Sequence, residues 1–79
     1  SANIEVNGTR VVTIDSGSTQ RVIPSFVSSA AMIMIYKGTT YNLVAGNNQF
    51  LDIIIDQNVA EFTFNGTGTV TIQYRGGVL

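Results

Sequence analysis

Polar and apolar residues alternate strictly through Glu61-Phe62-Thr63-Phe64 and again through Thr69-Val70-Thr71-Ile72-Gln73-Tyr74, with Asn65-Gly66-Thr67-Gly68 between the two runs. A period of two assigns both runs to β-strands. One face buries Phe62, Phe64, Val70, Ile72 and Tyr74, and the other carries Thr63, Thr69, Thr71 and Gln73. Asn-Gly between alternating segments predicts a β-hairpin over Glu61 to Tyr74. A two-residue loop would oppose Phe62 to Thr69 and Glu61 to Val70, against the alternation. A loop of Asn65 to Thr67 instead pairs Phe62 with Val70, Ala60 with Ile72, and Thr63 with Thr69, so an odd-length, bulged loop is expected, with positive φ at Gly66 or Gly68.

The same grammar divides the rest of the chain into short strands. Ala2 to Val6 and Thr9 to Ile14 flank Asn7-Gly8, which predicts a second hairpin. A two-residue loop there sets Glu5 opposite Arg10 and Ile4 opposite Val11; a three-residue loop pairs Ile4 with Val12. After the Asp15 to Thr19 loop, Gln20 to Val27 reads as a strand in which Pro24 marks an edge or a break, and Ser28-Ser29 turns the chain. Ala30 to Tyr36 (AAMIMIY) is apolar at both parities. It is expected as a central strand covered on both faces or packed beneath another subunit; a helix is disfavoured by its length and missing caps. Lys37-Gly38 turns into Thr39 to Val44, Ala45 to Gln49 reads as a polar loop, and Phe50 to Asp56 as a strand with Leu51, Ile53 and Ile55 on one face. With no sustained 3.6-residue period and turn signals every eight to twelve residues, the chain is expected to be all-β. The architecture read from it is a small antiparallel β-sandwich, immunoglobulin-like or jelly-roll-like, of seven to eight strands, with residues 1–79 forming one domain.

Composition changes the picture in two ways. At 79 residues, with neither Cys nor His, the chain has no disulfide or zinc staple, and side-chain burial must stabilise it within the chain or across an assembly contact. With 44% hydrophobic but only 11% charged residues, much of the surface falls to Thr, Ser, Asn, Gln and Gly, which desolvates more cheaply than a charged surface and suits packing against other proteins. The net charge is −1, and Arg10, Arg21, Lys37 and Arg75 are never adjacent, which argues against nucleic acid as a partner. The longest apolar run, Ala30 to Tyr36, falls far short of the roughly 18 residues that span a bilayer, so no membrane insertion is expected. Ser1-Ala2 at the start, without Met, reads as a processed product, an excised domain or the remainder of a tag.

Candidate chemistry is sparse. Asn7-Gly8-Thr9 and Asn65-Gly66-Thr67 match the N-glycosylation pattern, but Asn-Gly is also what a tight turn requires, and turn chemistry is the expected reading. Asp52 and Asp56 would share a strand face about 13 Å apart. Calcium requires six or more converging oxygens, so these two read better as solvated carboxylates that discourage edge pairing. Glu61 with Asp15 has no spacing that supports an acid pair. Ser16, Ser18, Ser25, Ser28 and Ser29 have no His to act as base, which excludes a Ser-His-Asp triad; Lys37, in a predicted turn, reads as a solvated cation and not as half of a Ser-Lys dyad. The Gly clusters do not precede helices and are weak phosphate cradles. Tyr36, Tyr41 and Tyr74 among Asn and Thr could offer a sugar platform; Tyr41, Asn47 and Asn48 are the candidate ligand contacts, with core or rim packing as the alternative for the tyrosines. No catalytic, cofactor-binding or metal-ligating residue is expected, and no cofactor.

Leu43-Val44-Ala45-Gly46-Asn47-Asn48-Gln49-Phe50 followed by Asn65-Gly66-Thr67-Gly68-Thr69-Val70-Thr71-Ile72-Gln73-Tyr74-Arg75 resembles the closing half of tailed-phage β-sandwich domains. In the C-terminal domain of siphophage distal tail proteins, a leucine-x-x-Gly-x-Asn loop enters a strand and a Gly-x-Gly-x-Val-x-Ile-x-Tyr/Trp-Arg strand closes the domain. The resemblance covers about half of the chain. Phage head-decoration proteins with immunoglobulin-like domains are similar in composition. The resemblance implies a non-enzymatic virion structural module, in a tail or as capsid decoration, that binds other virion proteins or copies of itself. It carries Arg75 over as a cation at the end of the last strand. The alternatives are a carbohydrate or host-surface recognition domain, with a surface glycan as ligand, and a secreted immunoglobulin-like adhesion domain, extracellular in place of virion-borne.

Overall fold

The computed structural model describes residues 2–15, 23–55 and 59–74. Among these, six strands form one antiparallel sheet: β1 (Ala2–Asp15), β2 (Ser25–Ser28), β3 (Met32–Tyr36), β4 (Thr39–Leu43), β5 (Gly46–Gln49) and β6 (Val59–Gln73). The chain is therefore all-β and antiparallel, with six strands where seven to eight were expected, and one curled sheet in the form of a half-barrel. Neither predicted Asn-Gly hairpin exists. β1 and β6 are each unbroken, and they pair along their whole length, from Ala2↔Ile72 through Gly8↔Gly66 to Asp15↔Val59. The two Asn-Gly-Thr triplets lie opposite each other, Asn7↔Thr67 and Thr9↔Asn65, inside a ladder. Phe62 thus pairs with Val12 and Ala60 with Ile14, in place of Val70 and Ile72. Arg10 does reach Glu5, but by donating from Nη1 to its main-chain carbonyl at 2.7 Å across the bend at Gly8.

β2 and β3 occupy the other edge of β6 end to end. The register runs from Ser25↔Gln73 to Ser28↔Val70, and resumes as Ile33↔Asn65 to Ile35↔Thr63 without a slip. Ser28-Ser29 accordingly bends the chain but does not reverse it. The ladder is bridged at that point by the Ser29 N–H donating to the Thr69 carbonyl (2.9 Å) and the Thr69 N–H donating to Ser29 Oγ (2.8 Å). β4 pairs with β3 and β5 with β2. Two leaves result, joined through β1 and β6. The first holds the N-terminal part of β6 with the C-terminal part of β1, β3 and β4; the second holds the C-terminal part of β6 with the N-terminal part of β1, β2 and β5.

Distances require the leaves to fold onto each other. Phe26 sits beside Ile72, ten residues along β6 from Phe62, or about 33 Å of straight strand. The Phe26 and Phe62 rings nevertheless meet edge-on at 5.4 Å. A straight β6 would also exceed the 33 Å longest dimension of the molecule, being roughly 46 Å long. The bend falls at Gly66 (φ +152°) and Gly68 (φ +150°), the positive φ expected from sequence, in a region that only glycine occupies without strain. Both occupy inward positions. A Cβ on Gly66 would stand 2.6 Å from Met32 Cβ, and one on Gly68 2.5 Å from Ser29 Oγ, so the missing side chains make the room into which the β2–β3 crossing packs.

The space between the leaves is filled by Ile4, Val6, Ile14, Phe26, Met32, Met34, Tyr36, Leu43, Phe62, Phe64, Val70 and Ile72. Tyr36 stacks on Phe62 at 4.6 Å, and Phe50 joins Phe26 at 6.4 Å. The alternation thus assigned the faces of β6 correctly. Within Ala30 to Tyr36, Met32–Tyr36 is a central strand between β6 and β4, covered by the chain on one face only and not on both, since Ile33 and Ile35 are exposed, and Lys37-Gly38 is the expected turn, with φ of +49° and +77°. Two other expectations fail. Gly46–Gln49 is a strand paired with β2 and not a polar loop, because the Asn48 amide turns inward and serves the main chain. Of the strand expected over Phe50 to Asp56, the described residues 50–55 form none. Ile53 N–H donates back to the Phe50 carbonyl (3.1 Å), which closes a turn; Ile53 and Ile55 are buried while Leu51 is 76% exposed, so the three do not share a face. Ile53, Ile55 and Pro24 all lie fully buried outside the long strands. Residues 16–22, 56–58 and 75–79, and with them Asp56 and Arg75, lie outside the described residues.

Candidate functional site

The three candidate ligand contacts do not form one site. Tyr41 lies on the inner side of β4, opposite Met34, with its ring 4.9 Å from that of Phe50 and its hydroxyl donating to Asp52 Oδ2 at 3.1 Å. Desolvation, then the hydrogen bond and the charge of Asp52, hold its phenol above the ordinary value. Asn47 is exposed on the outer side of β5. Asn48 is buried, and its amide is committed: Nδ2 donates to the carbonyls of Val44 (2.9 Å), Phe26 (3.1 Å) and Gly46 (3.1 Å), while Oδ1 accepts from Val44 N–H (2.9 Å). It closes the corner between β4 and β5, where a loop asparagine had been expected. Tyr36 is buried on Phe62, and Tyr74 is half-buried, so no platform of three tyrosines is assembled.

The remaining chemistry is equally dispersed. Among the described residues there is no group of three or more His, Cys, Asp or Glu that could hold a metal ion. A cleft of about 350 Å³ at the end of the first leaf is lined by Thr13, Tyr36, Lys37, Ile55, Val59 and Glu61. Its one amine, Lys37 Nζ, lies 5.5 Å from the centre of the Tyr36 ring, in cation–π range. Asn65 Nδ2 donates to Thr9 Oγ1 (2.7 Å), tying together the two Asn-Gly-Thr triplets that were read as turns.

The outer faces of the leaves are the most distinctive surfaces. On the first leaf, register places Val11, Thr63, Ile35 and Thr40 in one row across four strands, and Thr9, Asn65, Ile33 and Asn42 in the next. Val11 is 58% exposed, Ile33 42% and Ile35 38%. On the second leaf the corresponding row is Asn3, Thr71, Val27 and Asn47, in which Thr71 Oγ1 donates to Asn3 Oδ1 (2.9 Å), and in the next row Ser25 Oγ donates to Gln73 Oε1 (3.2 Å). The sequence marked the outward isoleucines of β3 as needing a cover. It missed Val11 on the same face, because the hairpin reading set the first strand pair, Ile4 with Val11 or with Val12, against each other and not against β6. No protein-family model, curated protein or solved structure matches the chain.

Proposed function

We propose that this chain is a structural interaction module without catalytic function, acting through the outer face of the first leaf. The observation that carries the reading is the stripe of Ile33 and Ile35 on a central strand, each open to solvent on the side away from the core, with Asn65 and Thr63 beside them on β6 and Val11 one strand further on β1. An interface core is depleted of charge, and both rows around these isoleucines are free of Asp, Glu, Lys and Arg. The setting proposed is a tailed-phage particle, in the tail or as capsid decoration, with other virion proteins or copies of the chain as partners; the support is the resemblance of Leu43 to Phe50 and Asn65 to Arg75. On this reading the two leaves do the work of the two layers of a sandwich. Carbohydrate recognition draws less support, since Asn48 is spent on the main chain and Tyr41 and Asn47 lie on opposite faces of the sheet. The test is assembly of the full parent protein. Labelling should detect it on purified particles, and Ile33→Lys with Ile35→Lys should abolish incorporation while the isolated protein keeps its β-sheet circular dichroism. Incorporation at the unaltered level would overturn the reading.

A further inference from the structure

Independently of what the outer faces bind, we infer that Asn7 is a site of spontaneous modification, losing its side-chain amide by attack of the Gly8 main-chain nitrogen much faster than Asn65 loses its own to Gly66. Asparagine is among the chemically labile residues, and a following glycine favours the attack because no Cβ stands beside the nitrogen. The Gly8 nitrogen gives up its proton and bonds to Asn7 Cγ, the Cγ–Nδ2 bond breaks, and ammonia leaves with that proton, closing a cyclic imide. Water then opens the imide at Cγ to give aspartate, or at the main-chain carbonyl carbon to give isoaspartate, in which the chain runs through the former side chain and is longer by a methylene.

The two Asn-Gly steps stand face to face at the bend, so each serves as the control for the other. Both asparagines are exposed, and exposure does not choose between them. Main-chain pairing does. The Ser29 N–H donates to the Thr69 carbonyl, so the odd-numbered residues of β6 turn their main-chain groups toward β2 and β3, and the even-numbered ones turn toward β1. Asn65 is held in this way against Ile33, and Gly66 against Gly8. On β1 the odd-numbered residues turn to a side where no strand lies among the described residues; there the Glu5 carbonyl is met by the Arg10 side chain. Either attack must free a nitrogen of the pair Gly8↔Gly66, a cost common to both, but Asn65 must leave Ile33 as well.

Side chains and space act in the same direction. Asn65 Nδ2 donates to Thr9 Oγ1 at 2.7 Å, whereas the Asn7 amide has no hydrogen bond among the described residues. A Cβ on Gly66 would stand 2.6 Å from Met32 Cβ, while one on Gly8 would meet nothing within 4 Å. The peptide that follows Asn7 therefore has room to turn, and the one that follows Asn65 does not. Conversion adds a negative charge to a chain of net charge −1. The isoaspartyl product also carries Thr9 to Asp15 out of step with Val59 to Asn65, and so loosens the arm of β1 that bears Val11.

The test is ageing of the folded chain in mildly alkaline buffer, then tryptic digestion and mass spectrometry; cleavage after Arg10 and Lys37 puts the two asparagines on separate peptides. Asn7 should convert roughly tenfold faster than Asn65, and in urea, where the ladder is gone, the two rates should converge. Amide exchange at Val12 and Ile14, whose N–H groups face β6, should be several-fold faster in the isoaspartyl form. An Asn7→Asp chain gains the charge without the extra methylene and should exchange there as the parent does. Comparable rates at the two asparagines of the folded chain, or no conversion of Asn7 over a time in which the chain in urea converts, overturn the assignment. Unchanged exchange in the isoaspartyl form overturns the loosening of β1.

Discussion

The two leaves share their long strands and one core, yet their outer faces differ in kind. On the second leaf the outward positions, Val27 and Glu5 aside, are hydroxyls and amides, and some of them satisfy each other, as Thr71 with Asn3 and Ser25 with Gln73 do. On the first leaf the outward positions of β3 are isoleucines. Full burial of an Ile side chain stabilises by about 1.5–3 kcal/mol, so leaving two of them some 40% exposed forgoes on the order of 1 kcal/mol each. A polar wall gains nothing comparable from being covered. The alternation that builds the two leaves is the same, and only the identity of the outward residues separates a wall suited to water from one suited to a partner.

The contrast exists only while the leaves stay folded together, so the largest effect is expected where they touch. Phe62→Ala removes the ring that meets Phe26 of the second leaf and Tyr36 of the first, and should cost about 3–5 kcal/mol in urea denaturation; a loss below about 1 kcal/mol would mean that this ring cluster does not hold the leaves. Gly66→Ala should cost about 2–4 kcal/mol, because it adds a clash with Met32 to an unfavourable φ. Gly38→Ala serves as its reference: a Cβ there meets nothing within 4 Å, and the loss expected from φ alone is about 1 kcal/mol. Equal losses at the two glycines would remove the packing account of the bend. Asn48→Leu leaves the Val44 N–H without its acceptor and should cost about 1–3 kcal/mol, with faster hydrogen exchange at Val44 and little change at the amides of β1.

The smallest effect lies at Tyr41, at the edge of the first leaf. Its phenol is held above the ordinary value of 10.0, so the fold favours the neutral form. That contribution is complete below about pH 10 and is lost as pH rises through the higher folded value. Tyr41→Phe should leave stability at neutral pH nearly unchanged and flatten its decline in alkali. An unaltered alkaline limb would show that the Asp52 contact does not act on the folded state.

What could be read in the sequence was the face of each residue, and what could not was its partner. Phe62, Phe64, Val70 and Ile72 are inward as their alternation required. A three-residue loop at Asn65 to Thr67 and an unbroken strand, however, leave every one of these residues on the same face, so polarity could reject a two-residue hairpin but could not distinguish the other two arrangements. Gly66 and Gly68 fall in phase with the phenylalanines, at positions where a strand that packs on itself needs no side chain. That phase was the available clue, and Asn-Gly as a local turn signal masked it. The true partners, Gly8 for Gly66 and Val12 for Phe62, lie about fifty residues away and leave no local trace. Among the candidate ligand contacts, Asn48 misled for a related reason: an asparagine that turns inward to bond the main chain has the same neighbours in sequence as one in a solvated loop.

The pairing of β1 with β6 also determines how the molecule bears load. Ala2 lies opposite Ile72, so the two described ends of the sheet's longest ladder stand side by side. Tension applied between Ala2 and Gln73 would open that ladder one residue pair at a time, like a zipper, without loading its hydrogen bonds together in shear. Pressure on the outer face of the first leaf would instead press the two leaves against their shared aromatic core. The described ladder therefore yields more readily to tension between Ala2 and Gln73 than to load on that face.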